Sequence, residues 1–122
     1  MALIDKNNLD VRIIEPTEQE LSVLNSLGDE FKIYSEMSEQ DRAFLNTLIL
    51  RKKPKKLLEI GVSKGGSSIV MLNAIKDIPD AHLYSIDINE NCYCISDKKT
   101  GFAVDDFPEL KKKWTLYTGG IA

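Results

Sequence analysis

Two carboxylates, Glu59 and Asp87, flank the one glycine-rich turn in this sequence, Gly61-Val-Ser-Lys-Gly-Gly66. That combination suits the binding of a small polar ligand. Gly61, Gly65 and Gly66 let the backbone turn tightly and approach a ligand with no β-carbon in the way. Leu57, Leu58 and Ile60 just before the turn form the short apolar run of a strand covered on both faces, as in a parallel sheet. Ser67 or Ser68 just after it can cap a helix, whose free N–H groups would face whatever occupies the turn. His82-Leu-Tyr-Ser-Ile-Asp87 reads as a second strand that ends in an acid. Ligands of parallel α/β sheets sit at the carboxyl ends of the strands, where Glu59, the turn and Asp87 all fall. A nucleotide-like cofactor is the natural occupant.

The elements that must position these groups follow from caps and periodicity. Thr17 with Glu20 makes a capping box, Leu21, Leu24 and Leu27 recur at helical spacing, and Gly28 is placed to stop that helix. Ser38 with Asp41 starts a second helix that runs to about Lys53, ahead of Pro54, with Phe44, Leu45, Leu48 and Ile49 as its apolar face. Residues 29–37 read as a connector and residues 1–15 as an extended arm or short strand. After the turn, Ile69, Leu72, Ile75 and Ile78 place a stripe along a helix from about Ser67 to Asp77, which Pro79 and Asp80 end. Residues 88–104 are polar and irregular. Asp106 can cap a short helix through Pro108 and Leu110, and Trp114-Thr-Leu-Tyr-Thr118 reads as a third strand. The expected fold is α/β: a truncated Rossmann-like parallel sheet, strand order 3-2-1, with flanking helices and an N-terminal helical segment. No linker interrupts the chain. By role it divides into an arm with helices (residues 1–55) and a βαβαβ cofactor-binding half (residues 56–122).

Composition narrows the function classes. With 122 residues, 43% hydrophobic and 29% charged, the chain matches a single globular domain. It has no apolar run long enough for a bilayer and no basic-then-apolar leader, so a cytoplasmic protein is expected. The net charge of −3 disfavours nucleic acid as a partner. The basic run Arg51-Lys-Lys-Pro-Lys-Lys56 is better read as a helix C-terminus whose cations complement the dipole. Cys92 and Cys94 have neither zinc-site nor redox-motif spacing and read as free thiols of a reducing compartment, and no metal is expected. His82, the single histidine, stands at the wrong end of its strand for catalysis and reads as structural.

Two cofactor classes compete for the turn. A dinucleotide fingerprint wants a middle glycine where this chain has Ser63, and Glu59 would bring negative charge near a pyrophosphate. Beside an ammonium and a sulfonium the same carboxylate is attractive. The turn therefore suits S-adenosylmethionine better than NAD.

Glu59-Ile-Gly-Val-Ser-Lys-Gly-Gly-Ser-Ser68 resembles the first motif of class I S-adenosylmethionine-dependent methyltransferases, and Tyr84-Ser-Ile-Asp-Ile-Asn89 resembles their second-strand motif. The Gly-Gly-Ser turn is most similar to the branch of small-molecule methyltransferases that includes cephalosporin-hydroxylase-like proteins. The resemblance implies that Glu59 lies near the methionine moiety and that the backbone of Gly61, Val62, Ser63, Gly65 and Gly66, with Ser67, wraps it. It implies that Asp87 binds the ribose hydroxyls and that Ile88 packs on the adenine. It further implies in-line methyl transfer to a small-molecule acceptor, with only three of the family's seven strands present, so that the sequence is a fragment inactive by itself. The edge of the first strand would then be unpaired, which predicts homo-oligomers through that edge or an N-terminal segment covering it. Two other readings stay open: a non-catalytic nucleotide-binding or oligomerisation module, and an NAD-type dinucleotide-binding domain. The methyl acceptor and any catalytic base are not assigned by these residues.

Overall fold

The computed structural model describes residues 2–5, 10–13, 15–93, 95 and 97–119, with backbone only for 2–5 and 10–13. Cys94 lies outside them, so the expectation for its thiol does too. The arm is an antiparallel hairpin of β1 (Ala2–Asp5) and β2 (Asp10–Ile13), with Ala2 opposite Ile13.

Helix α1 (Glu18–Asn25) opens on the expected capping box. The Glu20 N–H donates to Thr17 Oγ1 at 3.1 Å and the Thr17 N–H to Glu20 Oε1 at 2.8 Å. The same carboxylate accepts two hydrogen bonds from Arg51, at 2.8 and 2.9 Å, which draws the end of α2 (Glu39–Lys52) onto the start of α1. This fork with Arg51, with the Thr17 N–H behind it, lowers the Glu20 carboxyl to a pKa of about 2. Ser38 caps α2 as expected, and Lys53 ends it in the left-handed region. The buried side of α2 only partly matches the predicted one, with Ile49 buried and Leu45 packed against the core. Arg42, Asn46, Thr47 and Ile49 are buried, while Phe44 and Leu48 are only half-buried. Two of these polar side chains are accommodated because carbonyls meet them there: Asn46 Nδ2 donates to Glu20 O at 3.0 Å, and Arg42 Nη1 to Met37 O at 2.6 Å.

Three strands, β3 (Lys56–Ile60), β4 (His82–Asp87) and β5 (Trp114–Thr118), form a parallel sheet in the order β3-β4-β5, the predicted topology. The first crossover is α3 (Gly66–Ile75), shorter than predicted and buried nearly all round, because α1 and α2 pack on it opposite the sheet. Its Ile69, Val70, Leu72 and Ile75, with Leu83 of β4 and Val104, are the centre of the core. The second crossover is a 3₁₀ turn (Phe102–Asp106) and the single-turn helix α4 (Pro108–Lys111). Asp106 belongs to the 3₁₀ turn and does not cap α4; Phe107 holds that position, with no side-chain hydrogen bond. Lys113 Nζ instead caps α3, donating to the carbonyls of Ile75 at 3.1 Å and Ile78 at 2.6 Å.

β3 is not covered on both faces as predicted. Glu59 on its inner face is buried, yet Leu58 and Ile60 on the other are 64% and 80% exposed, and Ile86 and Tyr117 continue that exposed face. The reason is the handedness of the crossovers. Two right-handed βαβ connections stepping in one direction, β3 to β4 to β5, put both connections on one side of the sheet. No described helix is long and apolar enough to cross a membrane.

The Glu20–Arg51 fork has a testable acid signature. The carboxyl is lowered in the fold, so its contribution is present above the unfolded value near 4.5 and is lost as pH falls towards 2. Glu20→Gln keeps a capping side chain but removes the charge. It should be less stable than the parent chain in urea at pH 7, with the gap closing between pH 4.5 and 2. A gap that does not change with pH would assign the loss to the cap.

Candidate functional site

The residues between β3 and α3 are held from both sides. The Gly61 N–H donates to Ile86 O at 2.8 Å, extending the sheet ladder into the turn. Asp87, at the end of β4, then takes over: its Oδ2 accepts from the N–H groups of Val62 at 2.9 Å and Ser63 at 3.2 Å, and its Oδ1 from Asn89 N–H at 2.9 Å. Burial would raise this carboxyl, but the three backbone donors outweigh it and hold Asp87 below its ordinary value. From the other side the Gly101 N–H donates to Ser63 O at 2.8 Å and the Ala103 N–H to Lys64 O at 3.0 Å. Ser63, where a dinucleotide motif has glycine, sits at φ +55, a left-handed conformation that serine rarely adopts. Its hydroxyl donates to Glu36 Oε1 at 2.7 Å.

The three glycines have separate uses. Gly61, at φ +88, faces open space, as a ligand-facing glycine should. Gly65, at φ +106, lies against Gly101 and Val104. A β-carbon on Gly66 would stand 2.4 Å from Ser35 Cα and 2.5 Å from the Tyr34 carbonyl oxygen. Gly66 thus admits another part of this chain where a side chain would stand, while the residue itself also lines the cavity described below. Neither Ser67 nor Ser68 caps α3, whose N-cap is Gly65. Both hydroxyls donate to the buried Glu59 carboxylate, Ser67 to Oε2 and Ser68 to Oε1 at 2.6 Å. Ser85 of β4 also donates to Oε1 at 2.8 Å and accepts from the Trp114 indole N–H at 2.9 Å.

A cavity of about 600 Å³ opens above the turn. Six residues expected at a cofactor line it: Gly61, Val62, Ser63, Gly66, Ser67 and Asp87. Glu59 and Gly65 lie behind the turn, and Ile88 stands outside the cavity, largely exposed. Six more lining residues escaped the sequence reading: Tyr34, Glu36, Met37, Asp41, Asn89 and Tyr93. Four come from the aperiodic connector and the start of α2. Their one sequence signal was the Ser38 cap, which fixes where α2 begins. Glu36 also accepts from Tyr93 OH, at 3.3 to 3.4 Å, so one carboxylate joins the connector, the turn and the loop after β4. Cys92 is a buried free thiol 3.9 Å from Ser63 Oγ. His82 is bonded to Thr115 Oγ1 at 2.8 Å at the far end of β4, the structural role expected of it.

This site and fold have relatives. A family model for O-methyltransferases matches residues 19–105, and the chain belongs to that family. Over 97 residues, 80% of this chain, it is 34% identical to a highly reducing polyketide synthase of Penicillium soppii, of which it spans 3%. An S-adenosylhomocysteine-bound methyltransferase of Podospora anserina superposes with a TM-score of 0.60 at 17% identity, covering 88% of this chain and 53% of that one. A putative O-methyltransferase of Klebsiella pneumoniae gives 0.56 at 18% identity, covering 88% and 46%. The Streptomyces achromogenes O-methyltransferase of tomaymycin synthesis, in complex with S-adenosylmethionine, gives 0.54 at 16%, covering 88% and 45%. The shared fold is that of O-methyltransferases, and the chain spans about half the length of these solved relatives.

The close approach at Gly66 can be tested directly. Gly66→Ala must push the Tyr34–Ser35 backbone away, so it should lower stability by about 1–3 kcal/mol, as overpacking does. Gly61→Ala meets no atom and should lose less, only the strain of its positive φ. Equal losses in urea unfolding would show that the connector does not pack on Gly66 as described.

Proposed function

We propose that this chain is the cofactor-binding half of an S-adenosylmethionine-dependent O-methyltransferase acting on a small-molecule acceptor. The observation that carries the reading is the conjunction at one cavity of an open Gly61, a turn pinned by Asp87, and the remaining acceptor capacity of that carboxylate. A carboxylate has about four acceptor positions. Three on Asp87 are occupied by backbone N–H groups, which leaves Oδ1 able to take one ribose hydroxyl directly. The turn and the start of α3, at Gly66 and Ser67, then face the methionine portion. Glu59 acts from behind, holding Ser67 and Ser68 in place. When bound, S-adenosylmethionine supplies a methyl group on a sulfonium, open to in-line attack. What these residues contribute is a fixed cofactor orientation, without which the acceptor oxygen cannot line up. Residues 1–55 furnish one wall of the cavity and residues 56–122 the turn.

The acceptor and the group that takes its proton belong, in this reading, to the further length that the solved relatives possess. The 122 residues alone should bind cofactor without turning over. A cytoplasmic setting agrees with the free Cys92. The exposed face of Leu58, Ile60, Ile86 and Tyr117 beside the outer edge of β3 favours self-association there. Ile60→Lys should then shift the chain towards monomer in sedimentation. A parent chain that sediments as a monomer at high micromolar concentration removes the self-association proposal.

Isothermal titration with S-adenosylhomocysteine tests the cofactor assignment. Saturable binding is expected, at least tenfold weaker in Asp87→Ala, with no heat from NAD. NAD binding alone would replace this reading with a dinucleotide one. No binding of S-adenosylhomocysteine to the folded chain at millimolar concentration would reduce the kinship to ancestry.

A further inference from the structure

The Asp87 carboxylate closes a ring of hydrogen bonds, and the ring bears on how a ribose is recognised, a step that rests on the S-adenosylmethionine reading above. On one side, Oδ1 accepts from the Asn89 N–H at 2.9 Å, and the Asn89 carbonyl accepts from the Thr100 hydroxyl at 2.5 Å. On the other, Oδ2 accepts from the Ser63 N–H at 3.2 Å, and the Ser63 carbonyl accepts from the Gly101 N–H at 2.8 Å. Thr100 and Gly101 are neighbours in the chain, so the two arms meet there. Apart from Asp87, Thr100 is the one member of this ring that enters it through a side chain. It is buried, only 4% exposed, and stands outside the lining of the cavity, whereas Ser63, Asp87 and Asn89 line it.

From this we infer that Thr100 is a positioning residue for the ribose of the cofactor: its hydroxyl, acting through Asn89, fixes the direction in which Asp87 Oδ1 offers its remaining acceptor position. The last torsion of an aspartate is soft, so a carboxylate points one way only if both its oxygens are held. Oδ2 is held twice, by the N–H groups of Val62 and Ser63. Oδ1 is held by Asn89, which lies past the end of β4, is exposed, and gets no support from the sheet ladder. Thr100 supplies that support. Its hydroxyl is not needed to close the loop that it ends, because backbone bonds do so: the Thr100 N–H donates to Glu90 O at 2.9 Å and the Cys92 N–H to Lys98 O at 2.8 Å. A buried hydroxyl must have a partner, and the partner here is the residue that orients Oδ1. Removing the hydroxyl therefore leaves the loop closed and the turn pinned, and frees one oxygen of the carboxylate. The cost falls on a ligand that uses that oxygen, not on one that ignores it.

The test is isothermal titration of the full chain, Thr100→Val and Thr100→Ser with two ligands, S-adenosylhomocysteine and its analogue lacking both ribose hydroxyls, with thermal melts as the folding control. A hydrogen bond to a carboxylate contributes about tenfold in affinity, so the parent chain should prefer S-adenosylhomocysteine by about that ratio. In Thr100→Val the ratio should fall towards one while affinity for the analogue changes less than about threefold, and Thr100→Ser, which keeps the hydroxyl, should restore it. A folded Thr100→Val that keeps the parent ratio, including one that loses both ligands equally, overturns the positioning role and leaves the cofactor assignment standing. A parent that binds both ligands equally overturns the ribose role of Asp87 and the inference with it. Binding of neither overturns the cofactor reading as a whole. Should Thr100→Val unfold, amide hydrogen exchange in the parent decides: similar protection at Ser63, Asn89 and Gly101 supports the ring, and an Asn89 amide exchanging as fast as in an unfolded chain overturns it.

Discussion

A buried carboxylate holds the functional end of this molecule together. Glu59 sits under the glycine turn with no cation among its hydrogen-bond partners, and its charge is met by the hydroxyls of Ser67, Ser68 and Ser85. A charge so placed is tolerable only when it is fully hydrogen-bonded. The demand is reciprocal: the first turn of α3 and the middle of β4 must stay where their hydroxyls reach it. The turn that joins β3 to α3 has both its ends fixed by this one side chain, and Asp87 then fixes its middle. Helix and sheet are thus locked in register just where a ligand would need a rigid wall.

The second constraint is steric. Gly66 lets the Tyr34–Ser35 backbone come within contact of α3, and Arg42 braces the same connector from below through Met37 and Ser35. The N-terminal segment is therefore part of the site, not an appendage to it. Its Glu36 touches both the turn and Tyr93, so the cavity is bounded by three stretches far apart in sequence.

How much of this was legible beforehand follows from the range of the forces involved. The Thr17–Glu20 capping box, the Ser38 cap, the strand–turn–helix–strand order and the acid at the end of β4 are local signals, and they came through. Ser67 and Ser68 were misread as caps because a serine at a helix start satisfies that pattern; the buried Glu59 that claims them stands eight and nine residues earlier. The packing role of Gly66 is hidden because nothing near it in sequence shows that Tyr34 and Ser35 lie against it. Part of the inner face of α2 is hidden because Arg42 and Asn46 look solvent-facing until the carbonyls that meet them are known. The exposure of Leu58 and Ile60 is hidden because an apolar run records hydrophobicity, not which layer covers it.

One member of the Glu59 network has a further use. Trp114 is the chain's single tryptophan, and its indole N–H is bonded to Ser85, which is bonded in turn to Glu59. The aromatic end of that indole also fills the place where a side chain on Gly101 would stand, and Gly101 supports the turn through Ser63. Its ring therefore touches both supports of the site at once. The intrinsic fluorescence of this protein is in effect a site-specific probe, coming from one fluorophore wired to the groups that shape the cavity.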